Sequence, residues 1–161
     1  MSKFQPKPAR PGQNEERLQL SNQLCFATYS AAHAFNKVYK PLLDRLGVTY
    51  PQFLVLLVLW DRDRLTVTEI GRHLFLDSGT LTPLLKRLEV AGLLRRTRDP
   101  ADERQVRVSL TAKGRDLKAR AADARHEVAC ATGLPPAEID ALKEQIERLR
   151  EALHAHADQA R

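Results

Sequence analysis

Apolar residues recur every third or fourth position through most of this chain, and alternate every second position between Gln105 and Leu110. The first period is that of a helix packed on one face, the second that of a half-buried strand. Leu24, Thr28, Ala31, Phe35, Val38 and Leu42 predict one long first helix, kinked or ended near Pro41, whose ring removes a backbone donor. Pro51 to Trp60 predicts a second helix with proline in its first turn. Thr66-Val67-Thr68-Glu69-Ile70-Gly71-Arg72-His73-Leu74 predicts a third, with Thr66 as N-cap and Glu69 as its reciprocal partner. A fourth opens near Asp77-Ser78-Gly79-Thr80, carries Leu81, Leu84, Leu85 and Leu88 on one face, and stops at Gly92. Pro83 sits awkwardly in it: either this helix starts near Thr80 or its first turn is distorted. A strand pair follows, Leu93 to Arg98 and Gln105 to Leu110, joined at Asp99-Pro100-Ala101-Asp102-Glu103. Thr111 then caps a helix to about Ala131 with Leu117, Ala121, Ala124 and Val128 on one face. Gly133 ends it, and Pro135-Pro136 restart the chain into a last helix.

Two short helices joined by about four residues, the second showing cations and hydroxyls, form a helix-turn-helix, and the hairpin behind them is a wing. The expected fold is mainly α with a small β-hairpin: a winged helix-turn-helix over about 50–112. Dimerisation helices lie on either side, at about 15–46 and 112–158. Together these make one domain, 15–161, behind a disordered basic tail, 1–14, that holds Pro6, Pro8 and Pro11. In the last helix Ile139, Leu142, Ile146, Leu149 and Leu153 alternate by three and four, a narrow seam suited to another helix. Either that seam packs within its own chain, or the terminal helices make a homodimer. The dimer suits DNA, because two heads on a two-fold axis read a palindromic operator in successive major grooves.

Charge sharpens this. From Ser78 to Arg120 there are eleven Lys and Arg against five Asp and Glu, a surplus equal to the net +6 of all 161 residues, so the remainder balances. A basic surplus confined to the recognition helix, the hairpin and the turns after them is the footprint of phosphate contact. Thr80, Thr82, Lys86 and Arg87 are the polar groups that can meet base edges and phosphates. Ser78 either caps the helix or bonds a phosphate. Arg104, near the hairpin tip, can enter a minor groove. With Asp102 it is otherwise a surface pair worth little.

Other chemistries find little support. The chain holds no CxxC, HExxH, Walker loop or GxGxxG, and two cysteines alone cannot build a structural zinc site, so no metal, cofactor or catalytic residue is expected. His154-Ala155-His156 reads as solvent-exposed, and Glu69 and Glu89 as helix-cap and surface residues, with no paired carboxylate. The basic start lacks the apolar run of a signal peptide, and the longest apolar run, Phe53 to Trp60, is too short for a bilayer. The expectation is a cytoplasmic protein without a membrane partner.

Cys25 is the remaining reactive candidate. A lone cysteine on an apolar helix face is either a small inert hydrophobe or a reactive thiol. Tyr29 lies one turn on, Thr28 is on the same side, and no Asp or Glu falls between Leu18 and Lys40, which favours a thiolate able to attack a peroxide.

These residues carry a family resemblance. The run Leu74-Phe75-Leu76-Asp77-Ser78-Gly79-Thr80-Leu81-Thr82-Pro83-Leu84-Leu85-Lys86-Arg87-Leu88-Glu89, then Gly92-Leu93, then Asp99-Pro100-Ala101-Asp102-Glu103-Arg104, resembles the MarR family of winged-helix regulators over roughly Gln19 to Leu153. Leu24-Cys25-Phe26-Ala27, Tyr39-Lys40-Pro41-Leu42-Leu43 and Thr49-Tyr50-Pro51-Gln52-Phe53 resemble its organic-hydroperoxide-sensing branch. The resemblance implies a repressor that binds DNA through Ser78, Thr80, Thr82, Pro83, Lys86 and Arg87, with Arg104 braced by Asp102. It further implies that Cys25 is the peroxide-reactive thiol, with Tyr39 and Tyr50 (and Tyr29 nearby) in its sensor pocket. Cys130 corresponds to the second cysteine of two-cysteine members, and organic hydroperoxides to the inducer. Spacing adds a constraint: Tyr39 is fourteen residues after Cys25, about 21 Å on a straight helix. Contact therefore requires either a second subunit or a sharp break. Two other readings stay open: a MarR-type regulator released by a reversibly bound phenolic or acidic ligand with Cys25 inert, and a thiol peroxidase.

Overall fold

The computed structural model of the chain describes residues 18–100 and 102–159, with the side chains of 123–127 and 129 left aside. The tail expected at 1–14, Ala101 in the hairpin turn and the Ala124 side chain lie outside the described residues.

After a 3-10 turn at Leu20–Asn22, α1 runs from Leu24–Leu46 with Pro41 inside it. The helix does not end at Pro41. Proline deprives the Lys37 carbonyl of its intrahelical donor, but Lys37 and Pro41 are both exposed, so water can replace the bond. α1 ends where Gly47 takes φ +71 and the Val48 N–H returns to the Leu43 carbonyl at 3.1 Å. α2 (Tyr50–Asp61) opens with the Thr49 N–H donating to Gln52 Oε1 at 2.8 Å, and buries Val55, Leu56 and Leu59 almost completely. It is the helix the head is built around, which is why its sequence is apolar nearly all round.

β1 (Leu65–Thr66) leads directly into α3 (Val67–Leu74). The capping box forms as expected: Glu69 N–H donates to Thr66 Oγ1 at 3.2 Å, and Thr66 N–H to Glu69 Oε2 at 2.7 Å. α4 (Ser78–Val90) follows, then β2 (Leu94–Arg98) and β3 (Val106–Leu110). Both strands start one residue later than the alternation suggests. The sheet has three antiparallel strands in the order β1-β3-β2, with Leu65 opposite Val108 and Leu94 opposite Leu110. β1 is not visible as a strand in the sequence, because two residues cannot show a period of two and Thr66 already reads as a cap. α5 (Ala112–Ala131) and α6 (Pro136–Gln159) complete the chain.

Ile70, Leu81, Leu85, Leu88, Leu94 and Val108 close over α2 as one core. α1 enters it through Leu42, Leu43 and Leu46, with Tyr39 packed at its edge, and α5 through Leu117 and Ala121. Beyond the core both helices continue outward. Residues 24–38 of α1 are all exposed, Phe35 and Val38 among them, and α6 buries none of its side chains. Leu142 and Ile146 of the seam are each about half exposed. Leu153 is exposed and Ile139 and Leu149 are half-buried, so within this chain much of the seam stays open. No single described helix is long and apolar enough to cross a membrane.

Candidate DNA-binding head and thiol face

α4 is positioned by its leucines. With Leu81, Leu85 and Leu88 fully buried, the opposite side presents Thr80, Pro83, Lys86 and Arg87 to solvent, with Thr82 half-buried. The cap is Asp77, not Ser78: the Thr80 N–H and hydroxyl donate to the Asp77 carboxylate at 2.8 and 2.9 Å. Those bonds hold the Asp77 carboxyl below its ordinary pKa. Ser78 is thus the first helical residue and exposed, and the helix begins two residues earlier than a start at Thr80. Pro83 lies inside it, and the Thr82 hydroxyl donates to the Ser78 carbonyl at 2.6 Å in this first stretch. Gly92, at φ +71, follows the last turn, with Leu93 N–H returning to the Leu88 carbonyl at 3.0 Å.

Two ion pairs set the wing. Glu89 of α4 takes three bonds from Arg96 of β2, one from its backbone N–H and two from its guanidinium, at 2.6–2.8 Å. They hold the Glu89 carboxyl low, so Glu89 ties helix to wing and is not a mere surface group. Asp99, almost completely buried, pairs with Arg107 Nε at 2.7 Å, and Arg107 also donates to the Arg64 carbonyl at 2.9 Å. At the tip Asp102 accepts from the Arg104 backbone N–H at 3.1 Å and from the Gln105 amide at 3.0 Å. Asp102 therefore shapes the turn that carries Arg104, whose side chain is exposed. Arg95 and Arg98 on β2 are exposed as well. The sequence shows them only as part of a basic stretch; the structure separates them from Arg96 and Arg107, which the fold uses. This geometry is that of a winged helix-turn-helix.

At the other end of the chain, Cys25 is the second residue of α1 and exposed. The Thr28 hydroxyl donates to the Leu24 and Cys25 carbonyls at 3.2 and 2.9 Å, so it is turned to the backbone. Tyr29 meets His33 edge-on at 4.4 Å. Tyr39 and Tyr50 come together with ring centroids 5.0 Å apart, and Phe53 lies 5.9 Å from Tyr39. Burial raises the Tyr50 pKa, which keeps its phenol protonated and able to donate. Tyr39, Phe53, Leu57, Trp60 and Lys118 line a cavity of 620 Å³ beside this pair. Because α1 is unbroken between them, Cys25 stands about 21 Å from Tyr39 along the helix. The structure brings the two tyrosines together and leaves the thiol apart. Cys130 is exposed near the end of α5, which meets the middle of α1 through Val128 and Ala131. Among the described residues no three His, Cys, Asp or Glu side chains gather as a metal site.

Comparison with known proteins agrees with the geometry. The family of transcriptional regulators SarA/Rot matches residues 37–121. The regulator TtmR of Methylorubrum extorquens is 55% identical over 138 residues, covering 86% of this chain and 71% of TtmR. The organic hydroperoxide resistance transcriptional regulator of Bacillus subtilis is 45% identical over 86% of this chain and 95% of its own. Among solved structures, reduced AbfR bound to DNA is 39% identical over 88% of this chain and 98% of that one, with a TM-score of 0.69. Its disulfide form, 37% identical over 92% and 99%, gives 0.56; AbfR is from Staphylococcus epidermidis. The class is a winged-helix, DNA-binding transcriptional regulator. The chain belongs to the SarA/Rot and MarR-type family, on the side that includes the Bacillus hydroperoxide-resistance regulator.

Proposed function

We propose that this regulator is a homodimeric repressor that binds a palindromic operator and releases it when an organic hydroperoxide oxidises Cys25. One observation carries the reading: Cys25 lies at the start of a continuous helix whose outer two thirds are exposed, and the Tyr39–Tyr50 pair lies about 21 Å further along it, where the next helix begins. Two copies joined through antiparallel α1 helices bring each thiol to the other copy's tyrosines, and the α6 seam has apolar surface to bury in the same contact. Tyrosine hydroxyls donating to the sulfur favour the thiolate. The thiolate attacks the outer peroxide oxygen, the O–O bond breaks, and the products are a cysteine sulfenic acid and the alcohol. Condensation with the Cys130 thiol of the second copy then forms the disulfide and releases water. A disulfide in AbfR supports this step by analogy. In the head, Thr80, Thr82, Lys86 and Arg87 contact the major groove, Ser78 and Pro83 lie at the backbone, and Arg104 enters the minor groove.

The test is a gel shift with and without cumene hydroperoxide. Wild type should release DNA, and Cys25→Ser should hold it. The aromatic cavity also favours a second reading, a reversibly bound phenolic or acidic ligand. Release of Cys25→Ser by such a ligand, with no response of wild type to the peroxide, would establish that reading instead.

A further inference from the structure

Apart from the groove-facing residues and the thiol face, one cluster joins segments far apart in the chain. Phe75 closes α3 in the left-handed region at φ +56, uncommon for a bulky side chain, and its ring is half exposed in the turn between α3 and α4. α6 lies against one side of that ring. The Arg150 guanidinium lies 4.4 Å from its centroid, and the His154 imidazole stacks on it at 5.2 Å and 23°. Arg150 and His154 are one turn apart on the same face. Arg150 Nε is buried with no hydrogen-bond partner among the described residues, and Nη2 reaches the neighbouring Glu151 carboxylate only at 3.9 Å, so the ring face is the main partner of this side chain.

The position of this contact gives it consequence. The head is carried by the last turns of α1 and the first turns of α5, which enter the core side by side. Two rods leaving one joint leave the head free to tilt about it. A third attachment removes that freedom, and Phe75 supplies one at the turn preceding the recognition helix. We infer that Phe75 is a positioning residue: held by Arg150 and His154, it sets the angle of the head on the helical layer, and with it the operator half-site spacing that a dimer accepts. This rests on the dimeric reading above and is independent of thiol oxidation. One base pair inserted between half-sites shifts a half-site by about 3.4 Å and turns it by about 35°. Heads held at one angle lose contacts on such a site, whereas tilting heads follow it.

The experiment uses the full chain and an operator selected in vitro from random duplexes, compared with derivatives carrying one base pair more or fewer at the centre. Wild type should bind both derivatives at least about tenfold more weakly, the size of losing one or two base contacts. Phe75→Asn removes the ring while suiting a positive φ. The double variant Arg150→Ala/His154→Ala leaves the head's own sequence untouched. Both should bind the selected operator within about threefold of wild type, with the spacing penalty reduced below about threefold. Phe75→Tyr should restore the wild-type penalty. The inference is overturned if the variants keep that penalty, if they weaken equally on all three operators, or if wild type binds all three alike. Sedimentation separates the layers: a monomeric wild type overturns the dimeric reading, whereas a dimer with unaltered spacing preference overturns the clamp alone.

Discussion

Gly114→Ala perturbs the joint between the head and α5. A Cβ at this position meets the Leu93 carbonyl oxygen at 2.0 Å, its carbon at 3.0 Å and Leu110 Cδ2 at 3.2 Å. The obstacle is backbone, and it is pinned, because Leu93 O accepts the Thr111 N–H at 3.1 Å. Alanine therefore forces the first turn of α5 off the wing. Such overpacking costs about 1–3 kcal/mol. The shift also strains the Trp60 Nε1 bond to the Gly114 carbonyl (2.8 Å), with a net worth of about 1 kcal/mol. Against this, alanine gains about 1 kcal/mol of helix propensity. Because the obstacle is pinned backbone the upper end of that packing range applies, and the three contributions sum to about 3 kcal/mol, or about 6–12 °C in Tm for a chain of this length. The assay is urea unfolding at one fixed protein concentration, since the proposed dimerisation would make the midpoint depend on it. Gly92→Ala is the comparator. Nothing lies within 4 Å of its added Cβ, so only the left-handed backbone at φ +71 resists, at about 1 kcal/mol. A Gly114→Ala loss no larger than that of Gly92→Ala would refute the close-approach argument.

Arg104→Ala should weaken operator binding several-fold and leave unfolding unchanged, because its side chain is exposed at the wing tip; wild-type affinity in a filter-binding titration would remove the minor-groove role. Operator affinity should fall steeply with salt, with a log–log slope of about 0.9 for each neutralised phosphate; a flat response contradicts a phosphate-dominated contact. Thr66→Ala removes the hydroxyl that caps α3 and should cost about 1 kcal/mol in urea unfolding. Hydrogen bonds depress the carboxyl pKa of Glu69, Asp77 and Glu89. Their stabilisation is complete above the unfolded values, near pH 4.5 for the two glutamates, and is lost as pH falls through the folded ones. The urea midpoint should therefore drop below about pH 4.5; an unchanged midpoint down to pH 3 would show that these bonds contribute nothing.

The head was legible because its signals are local. Thr66 and Glu69 state a capping box within four residues, and Leu81, Leu85 and Leu88 state a buried face within three turns. The misreadings came from contacts made across the chain or through solvent. Pro41 was expected to kink or end α1, and it does not end it, because an exposed carbonyl costs little. Ser78 read as either a cap or a phosphate contact, and only coordinates show Asp77 taking both Thr80 donors. Glu89 looked like a surface residue until β2 brought Arg96 to it from seven positions away. Gly114 and Phe75 carried no signal, since the groups that constrain them, Leu93 O and the Arg150–His154 face, are distant in sequence. The proposed thiol site was legible only in part. Helix rise alone separated Cys25 from Tyr39, and the unbroken α1 removes the alternative of a sharp break.

The most direct measurement of the proposed mechanism is non-reducing electrophoresis after stoichiometric cumene hydroperoxide. A dithiothreitol-sensitive covalent dimer should form in wild type, in step with loss of operator binding, and should be missing in both Cys25→Ser and Cys130→Ser. A band that survives without Cys130, or a wild type that releases DNA while staying monomeric on the gel, contradicts the intersubunit disulfide.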